Sequence, residues 1–371
     1  MGKELILVGG GHAHMVTLAN LQTFVDQGHS VTVVGPSDYH YYSGMGPGML
    51  GGVYRPEEIR FATRRVVENR GATFIRDKAV GIDPQQRLLH LESGATRPYD
   101  VISFNAGSFV PRPPVIDSDL EIYSVKPIVW LQEARDRLLQ LFGEREITIT
   151  IVGGGPSAAE VAGNVWSLAR AHGTHPPIIR ILAGQQGFMA RFPAAIRRRA
   201  EGLLAKRGIE VVAAGYVKEI RGRRVMLQSG QGYASDFVFL ALGVRPAPFF
   251  AESGLPTGPD GGLLVNEFLQ CPTYPEIFGG GDCIHFQPQP LDKVGVYAVR
   301  QNPVLCHNLL AALAGTPLQP FAPGGGYLLI FNLGDRHGIL RKGRLLFGGR
   351  LAFRIKDYID RRFMRKFQAL E

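Results

Sequence analysis

Gly9-Gly10-Gly11 and Gly153-Gly154-Gly155 each follow an apolar run, Leu5-Ile6-Leu7-Val8 and Ile149-Thr150-Ile151-Val152, and each precedes a segment with helical spacing. A strand that turns through glycines into a helix leaves backbone N–H groups and the positive end of the helix dipole free to hold a phosphate. The first glycine permits the tight turn, and the second lets the backbone approach a pyrophosphate. A single G-x-G-x-x-G is a weak signal. Two in strand–turn–helix context predict two bound dinucleotides, and two adjacent dinucleotides point to electron transfer between them.

The elements that must position these turns follow from periodicity. Residues 5–35 read as strand, helix, strand, with Leu18, Leu21 and Val25 on one helical face and Gly28 ending the helix. Tyr39 to Gly52 is an irregular loop of glycines and aromatics, and short strands fill 73–110 up to the break at Pro111, Pro113 and Pro114. A second βαβ unit spans about 147–183, then a basic helix near Pro193–Arg207. Val238–Gly243 repeats the apolar-strand-plus-glycine pattern of Phe104–Gly107. After Pro246 and Pro248, Ile277-Phe278 runs into Gly279-Gly280-Gly281-Asp282, and a helix follows near Val299–Ala314. The expected fold is α/β: two Rossmann-like dinucleotide-binding domains, the second inserted in the first, with a small C-terminal basic α+β element. The boundaries are 1–112 and 245–322 for the first domain, 113–244 for the second and 323–371 for the terminal element.

Taken together, the Gly9–Gly11 turn, Tyr99-Asp100 before the 101–107 strand, the Gly153–Glu160 turn and Gly279–Asp282 resemble the two-dinucleotide-binding-domain flavoproteins, which carry FAD and use NAD(P)H. More narrowly, four segments resemble the type II NADH dehydrogenase-like branch, and within it the flavoprotein domain sometimes fused to selenophosphate synthase. They are Gly9–His14, Tyr42-Ser43-Gly44-Met45-Gly46-Pro47-Gly48, Val296–Arg300 and Ile359–Met364.

The resemblance implies roles for individual residues. The first turn, with Gly9, Gly11, His12 and Ala13, would hold the FAD pyrophosphate, and Asp282 after Gly281 would accept hydrogen bonds from ribityl hydroxyls. Ser43 and Pro47 lie on the loop expected to pass the isoalloxazine ring, and Ala106 and Gly107 follow the adjoining strand. The helix start at Val296, Tyr297 and Ala298 would stabilise negative charge on reduced flavin, with Lys293 adding to that field. In the second domain Gly153, Gly155, Pro156, Ala158 and Gly243 would hold the nicotinamide dinucleotide, with Glu160 near its carboxamide. Tyr297, Gln301, Glu160 and Lys293 are thus the candidate catalytic residues. Among quinone-reducing relatives the flavin helix carries an alanine-glutamine pattern, which only Gln301 matches here.

The chain departs from the pattern at three points. His14 stands where the third glycine belongs, and it and His12 either relay protons or pack around the helix start, the simpler reading. Val34-Gly35-Pro36-Ser37-Asp38 carries no acid at the expected ribose position, so Ser37 or Asp38 must substitute. Strand Ile178–Leu182 ends in Ala183-Gly184-Gln185-Gln186, again without an acid, so NAD and NADP both stay open.

The main expectation is therefore an FAD-dependent NAD(P)H oxidoreductase that passes electrons to a quinone or similar acceptor. A flavoprotein oxidising a small sulfur donor needs paired cysteines flanking the flavin, which the three cysteines at 271, 283 and 306 do not supply by spacing. A non-catalytic flavin-binding sensor is the third reading. The net charge of +9 is concentrated between Asp335 and Lys366, where eleven basic residues face three acids, a net +8. That argues against a general nucleic-acid surface. An anionic membrane surface or an acidic protein is the natural partner for such a tail, and a homodimer is compatible with the sequence. Ile355, Ile359 and Phe363, spaced by four, predict instead a helix packed on the first domain with its arginines in solvent. The early first strand and the lack of a long apolar stretch suggest a cytoplasmic protein, peripheral to a membrane if the tail binds lipid.

Overall fold

The computed structural model describes residues 2–213 and 215–371. Its first sheet is parallel, with strands in the order Ile277–Gly279, Val101–Phe104, Glu4–Val8, Ser30–Gly35 and Thr73–Arg76. The second is parallel in the order Glu121–Ser124, Phe237–Leu240, Thr148–Val152, Ile178–Ala183 and Glu210–Ala213. Ile277–Gly279 rejoins the first sheet after the second is complete, as an inserted Rossmann-like unit requires. The central strands are buried along nearly their whole length because helices or other segments cover both faces, and they are mostly apolar, with Ser103 and Thr150 as buried polar exceptions. Leu5, Ile6 and Leu7 are fully buried, as are Ile149, Ile151, Phe237 and Phe239.

Each glycine turn sits at the carboxyl end of its central strand. The segment predicted as one helix after the first turn is a 3₁₀ turn, His12–His14, and two short helices, Met15–Ala19 and Leu21–Asp26. The break falls at Asn20, whose side-chain amide donates to the Val16 carbonyl at 2.7 Å and so competes with the helical ladder. The irregular loop also contains an ordered piece, the buried helix Gly46–Leu50, which packs between helices Val129–Glu144 and Pro156–His172 of the inserted unit.

The terminal element is an antiparallel sheet of Leu329–Asn332, Gly338–Lys342 and Leu345–Gly349, followed by helix Arg350–Gln368. Its packing face meets the expectation at Phe363, which packs on His12, Tyr42 and Phe61 of the first domain, and departs from it at Ile359. Phe353, Lys356, Asp360, Met364 and Phe367 are buried, whereas Ile359 is 42% exposed. Lys356 and Asp360 pair at 2.5 Å within the buried stripe, so two charged residues occupy positions that hydropathy assigns to the outside. The arginines are not all solvated, since Arg361 bonds Asp357 at 2.9 Å and Glu58 at 2.7 Å.

Candidate active site

At the first turn the glycines are sterically required. A Cβ on Gly9 would lie 2.4 Å from the Asn105 carbonyl oxygen, and one on Gly11 would lie 2.3 Å from Asn105 Oδ1. Asn105 ties the turn together, because its Oδ1 accepts from the Ala13 N–H at 3.2 Å and its Nδ2 donates to the Gly280 carbonyl at 2.8 Å. His14 is structural. Its Nδ1 lies 2.7 Å from the Gly9 carbonyl and its Nε2 2.8 Å from Ser103 Oγ, so the ring replaces the missing glycine by bonding turn to strand. His12 is different. Its ring stacks on Phe363 of the terminal helix and meets His40 edge-on, and the Nε2 atoms of His12 and His40 are buried with no partner among the described residues. Burial lowers the His12 imidazole to about 3, with His40 and Lys126 adding to the shift, and lowers His40 to about 4, with Lys126 again contributing.

Helix Gly295–Ala314 closes the same crevice. Gln301 Oε1 accepts from the Gly281 N–H at 2.7 Å, and Asn302 Oδ1 accepts from the Val16 N–H at 2.7 Å. Asp282 Oδ2 receives hydrogen bonds from Ser108 Oγ at 2.9 Å and Lys126 Nζ at 2.8 Å. Burial opposes its ionisation, but the charge of Lys126 and these two bonds outweigh it and hold the carboxyl below the usual range. Gly281, Asp282, Lys293, Tyr297 and Gln301 line one narrow cleft of about 10 Å³. Lys293 is not the free cation expected there, for it pairs with Asp260 at 2.7 Å and donates to the Ile284 carbonyl. Tyr297 stands edge-on to Tyr327, and Val296 and Ala298 lie on the first turn of the helix.

The second turn opens on a larger groove of about 290 Å³. Gly153, Gly155, Pro156 and Gly243 line it, with Gly184, Gln185, Gln186, Arg191 and Tyr216 along its other side. Gly153 again cannot carry a side chain, since its Cβ would sit 2.1 Å from the Ala241 carbonyl oxygen. Ala158 is fully buried in the helix that follows, which keeps helix and sheet close.

Between the two crevices lies a polar cluster on which three parts of the chain converge. Glu160 is not on the groove wall; its Oε1 accepts from the Asn332 N–H of the terminal sheet at 2.8 Å. Removal from water raises its carboxyl to about 7, against the opposing effects of Lys356 and the Asn332 N–H. Lys356 Nζ donates to the Gly44 carbonyl at 2.7 Å, and Asp360 Oδ1 accepts from the Tyr42 hydroxyl at 3.0 Å. Burial raises Asp360 and Tyr42 as well, with Lys356 working against the shift at Asp360.

Several sequence-predicted residues thus converge on the two crevices, and several stand apart. Ser37 is exposed at the end of its strand, where its Oγ accepts from the Tyr39 N–H at 3.2 Å. Ser43 and Pro47 belong to the short helices of the 43–50 segment, and Gly46 and Gly48 make room for Ile128 and Tyr54. Ala106 and Gly107 follow Asn105 at the mouth of the first crevice, where Gly107 has φ of 70°. The residues that sequence reasoning missed are Asn105, Ser108, Lys126, His40, Lys356 and Asp360. Asn105 had a signal, at the junction of a buried strand and a glycine, and Asp360 lay within the Ile359–Met364 segment that carries the resemblance.

Comparison with known proteins agrees with this arrangement. The family model "Pyridine nucleotide-disulphide oxidoreductase" matches residues 3–307. Ferroptosis suppressor protein 1 of Taeniopygia guttata is 24% identical over 282 residues, covering 72% of this chain and 71% of that protein. Among solved structures, NDH2 from Plasmodium falciparum in complex with NADH superposes with a TM-score of 0.82 at 12% identity, covering 100% of this chain and 97% of that one. The sulfide:quinone oxidoreductase of Aquifex aeolicus gives 0.79 at 19% identity, covering 100% and 92%. With two glycine-turn crevices on two parallel sheets and a family match across most of its length, the chain belongs to the pyridine nucleotide-disulphide oxidoreductase family.

Proposed function

We propose that this chain is an FAD-dependent NAD(P)H oxidoreductase that delivers electrons to a quinone-like acceptor. The observation that carries the reading is the pair of glycine-turn crevices at equivalent carboxyl ends of two parallel sheets, joined by the Glu160–Lys356–Asp360–Tyr42 cluster. The first crevice suits FAD. Its glycines let the turn lie against Asn105 and Thr63 with no room for a Cβ, and two buried imidazole nitrogens beside it lack partners among the described residues. Gly9, Gly11 and Ala13 would face the pyrophosphate, Asp282 the ribityl chain, and the Gly295–Ala314 helix start the flavin ring. Bound FAD supplies the two-electron chemistry. Lys126 and Ser108 keep Asp282 ionised and oriented, Gln301 fixes the Gly281 turn, and Glu160, titrating near neutrality, is suited to hold or release a proton at Oε1 or Oε2.

The family name refers to a disulphide, but Cys271, Cys283 and Cys306 are free and buried. That disfavours a sulfur donor. The Aquifex aeolicus neighbour, named as a sulfide:quinone oxidoreductase, lends support to a quinone acceptor. An anionic membrane surface is the natural source of such a molecule. Leu351 at 61% and Tyr358 at 60% exposure stand among Arg354, Arg362 and Arg365 on the outer side of the terminal helix, and no helix among the described residues is long and apolar enough to cross a membrane.

The test is an anaerobic titration of the flavin-loaded protein with NADPH, NADH and sulfide, followed by addition of a short-chain quinone. Bleaching of the flavin band by a nicotinamide, reversed by quinone, is the expected result. Bleaching by sulfide alone, or protein that takes up no FAD, would overturn the proposal. Sedimentation with vesicles of neutral and of anionic lipid tests the surface, and equal binding to both would refute it.

A further inference from the structure

We propose that the groove of the second domain is built for a 2′-phosphorylated dinucleotide, NADPH rather than NADH, with Arg191 as the residue that recognises the extra phosphate. The inference rests on the reading of that groove as the nicotinamide-dinucleotide site. In such a site the adenosine ribose lies at the carboxyl end of the second strand, where an Asp or Glu accepts hydrogen bonds from its hydroxyls in NAD enzymes, and a nearby arginine accommodates the 2′-phosphate in NADP enzymes. Here the second strand is Ile178–Ala183, in register with the first so that Leu182 pairs with Val152 just before the glycine turn. It ends in Ala183, fully buried, followed by Gly184, Gln185 and Gln186.

The chemistry of the groove is one-sided. None of its lining residues is an acid, and Arg191 is its single cation. A ribose diol therefore meets no carboxylate, whereas a 2′-phosphate meets no repulsion. Arg191 is exposed, and no ion pair ties it down among the described residues. The strand's own arginine, Arg180, is by contrast taken up by Glu210 at 2.6 Å and stacks over Tyr233. Tyr216 completes the adenosine end. It is 52% exposed, and a Cβ on Gly184 would lie 3.7 Å from its ring, so an aromatic face stands beside the turn where an adenine would rest. Gln185 and Gln186 supply neutral donors that a phosphate accepts and a carboxylate would not replace.

The experiment is calorimetric binding of NADP⁺ and NAD⁺ to the flavin-loaded protein at fixed ionic strength, with Arg191→Ala and Gln185→Glu, both surface substitutions, as variants. NADP⁺ is expected to bind about tenfold tighter or better, close to the value of one added charge-assisted contact. Arg191→Ala should erase most of that ratio, and Gln185→Glu should lower NADP⁺ affinity more than NAD⁺ affinity. Equal affinities, or tighter NAD⁺, overturn the preference while leaving the site as read. If Arg191→Ala weakens both nucleotides equally, the arginine serves their shared pyrophosphate and the assignment fails. Binding of neither nucleotide overturns this inference together with the function proposed above.

Discussion

Replacing His14 by alanine separates the structural histidine from the others, and the structure fixes both the size and the pH dependence of the effect. The Gly9 carbonyl can only accept, so Nδ1 carries the proton and Nε2 accepts from the Ser103 hydroxyl. Alanine removes both bonds and leaves Ser103 Oγ and a ring-sized gap in a fully buried site. Near neutral pH this should cost about 3 kcal/mol, from an unsatisfied buried hydroxyl and a partly collapsed cavity. Burial holds the imidazole at about 4 rather than 6.5, against the opposing bond to Gly9. A depressed histidine contributes stability that is fully present above 6.5 and lost as pH falls through the folded value. The wild type therefore gives up about 1.4 kcal/mol at pH 5.5 and about 2.6 kcal/mol at pH 4.5 through this group alone. His12 and His40 titrate in both proteins and cancel in the difference. Urea unfolding followed by circular dichroism should show a gap between wild type and His14→Ala of about 3 kcal/mol at pH 7.5, shrinking to a few tenths by pH 4.5. A gap that is constant with pH, or that widens in acid, refutes the assignment of a neutral, doubly bonded ring.

Other consequences can be checked independently. Turnover with a nicotinamide and a quinone should show a midpoint near pH 7 from Glu160, whose protonated form dominates below that value. Glu160→Gln should slow turnover about tenfold and flatten that profile, and an unchanged midpoint removes Glu160 from the proton path. Lys356→Met strands Asp360 in a buried position and should lower stability by about 3–5 kcal/mol, read by thermal unfolding; a loss below about 1 kcal/mol would mean that water reaches the pair. Gly163→Ala places a Cβ 2.1 Å from the Leu333 carbonyl oxygen and should cost about 1–3 kcal/mol. Gly143→Ala, in open helix surface, should be neutral or stabilising by up to about 1 kcal/mol, and equal effects at the two sites would refute the contact.

The two crevices were legible because their signals are local. An apolar strand, a glycine turn and a helix start are contiguous, and the physics that makes them bind phosphate acts within a few residues. The role of His14 was not legible as a certainty, because Ser103, the partner that explains it, is distant in sequence and near only across the sheet. Lys293 looked like a free cation for the same reason, since Asp260 comes from another segment. The terminal helix misled more sharply. Hydropathy placed Ile355, Ile359 and Phe363 inward, and Phe363 does pack on His12, Tyr42 and Phe61, but Ile359 stays exposed because a lysine and an aspartate four residues apart neutralise each other and are buried together in its place. The glycines of 44–48 resembled a cofactor-facing loop, yet two of them are set by Ile128 and Tyr54.

The terminal sheet and helix touch both nucleotide-binding units. Asn332 bonds Glu160 of the inserted unit, the Leu333 and Gly163 backbones meet without room for a Cβ, and Gln368 reaches the Glu57 and Arg60 carbonyls of the first unit. A brace of that kind opposes hinge motion: swinging one unit away from the other would break the Asn332–Glu160 and Gln368 bonds and part the Leu333–Gly163 contact, so the cost of opening falls on the terminal element and not on the two crevices it spans.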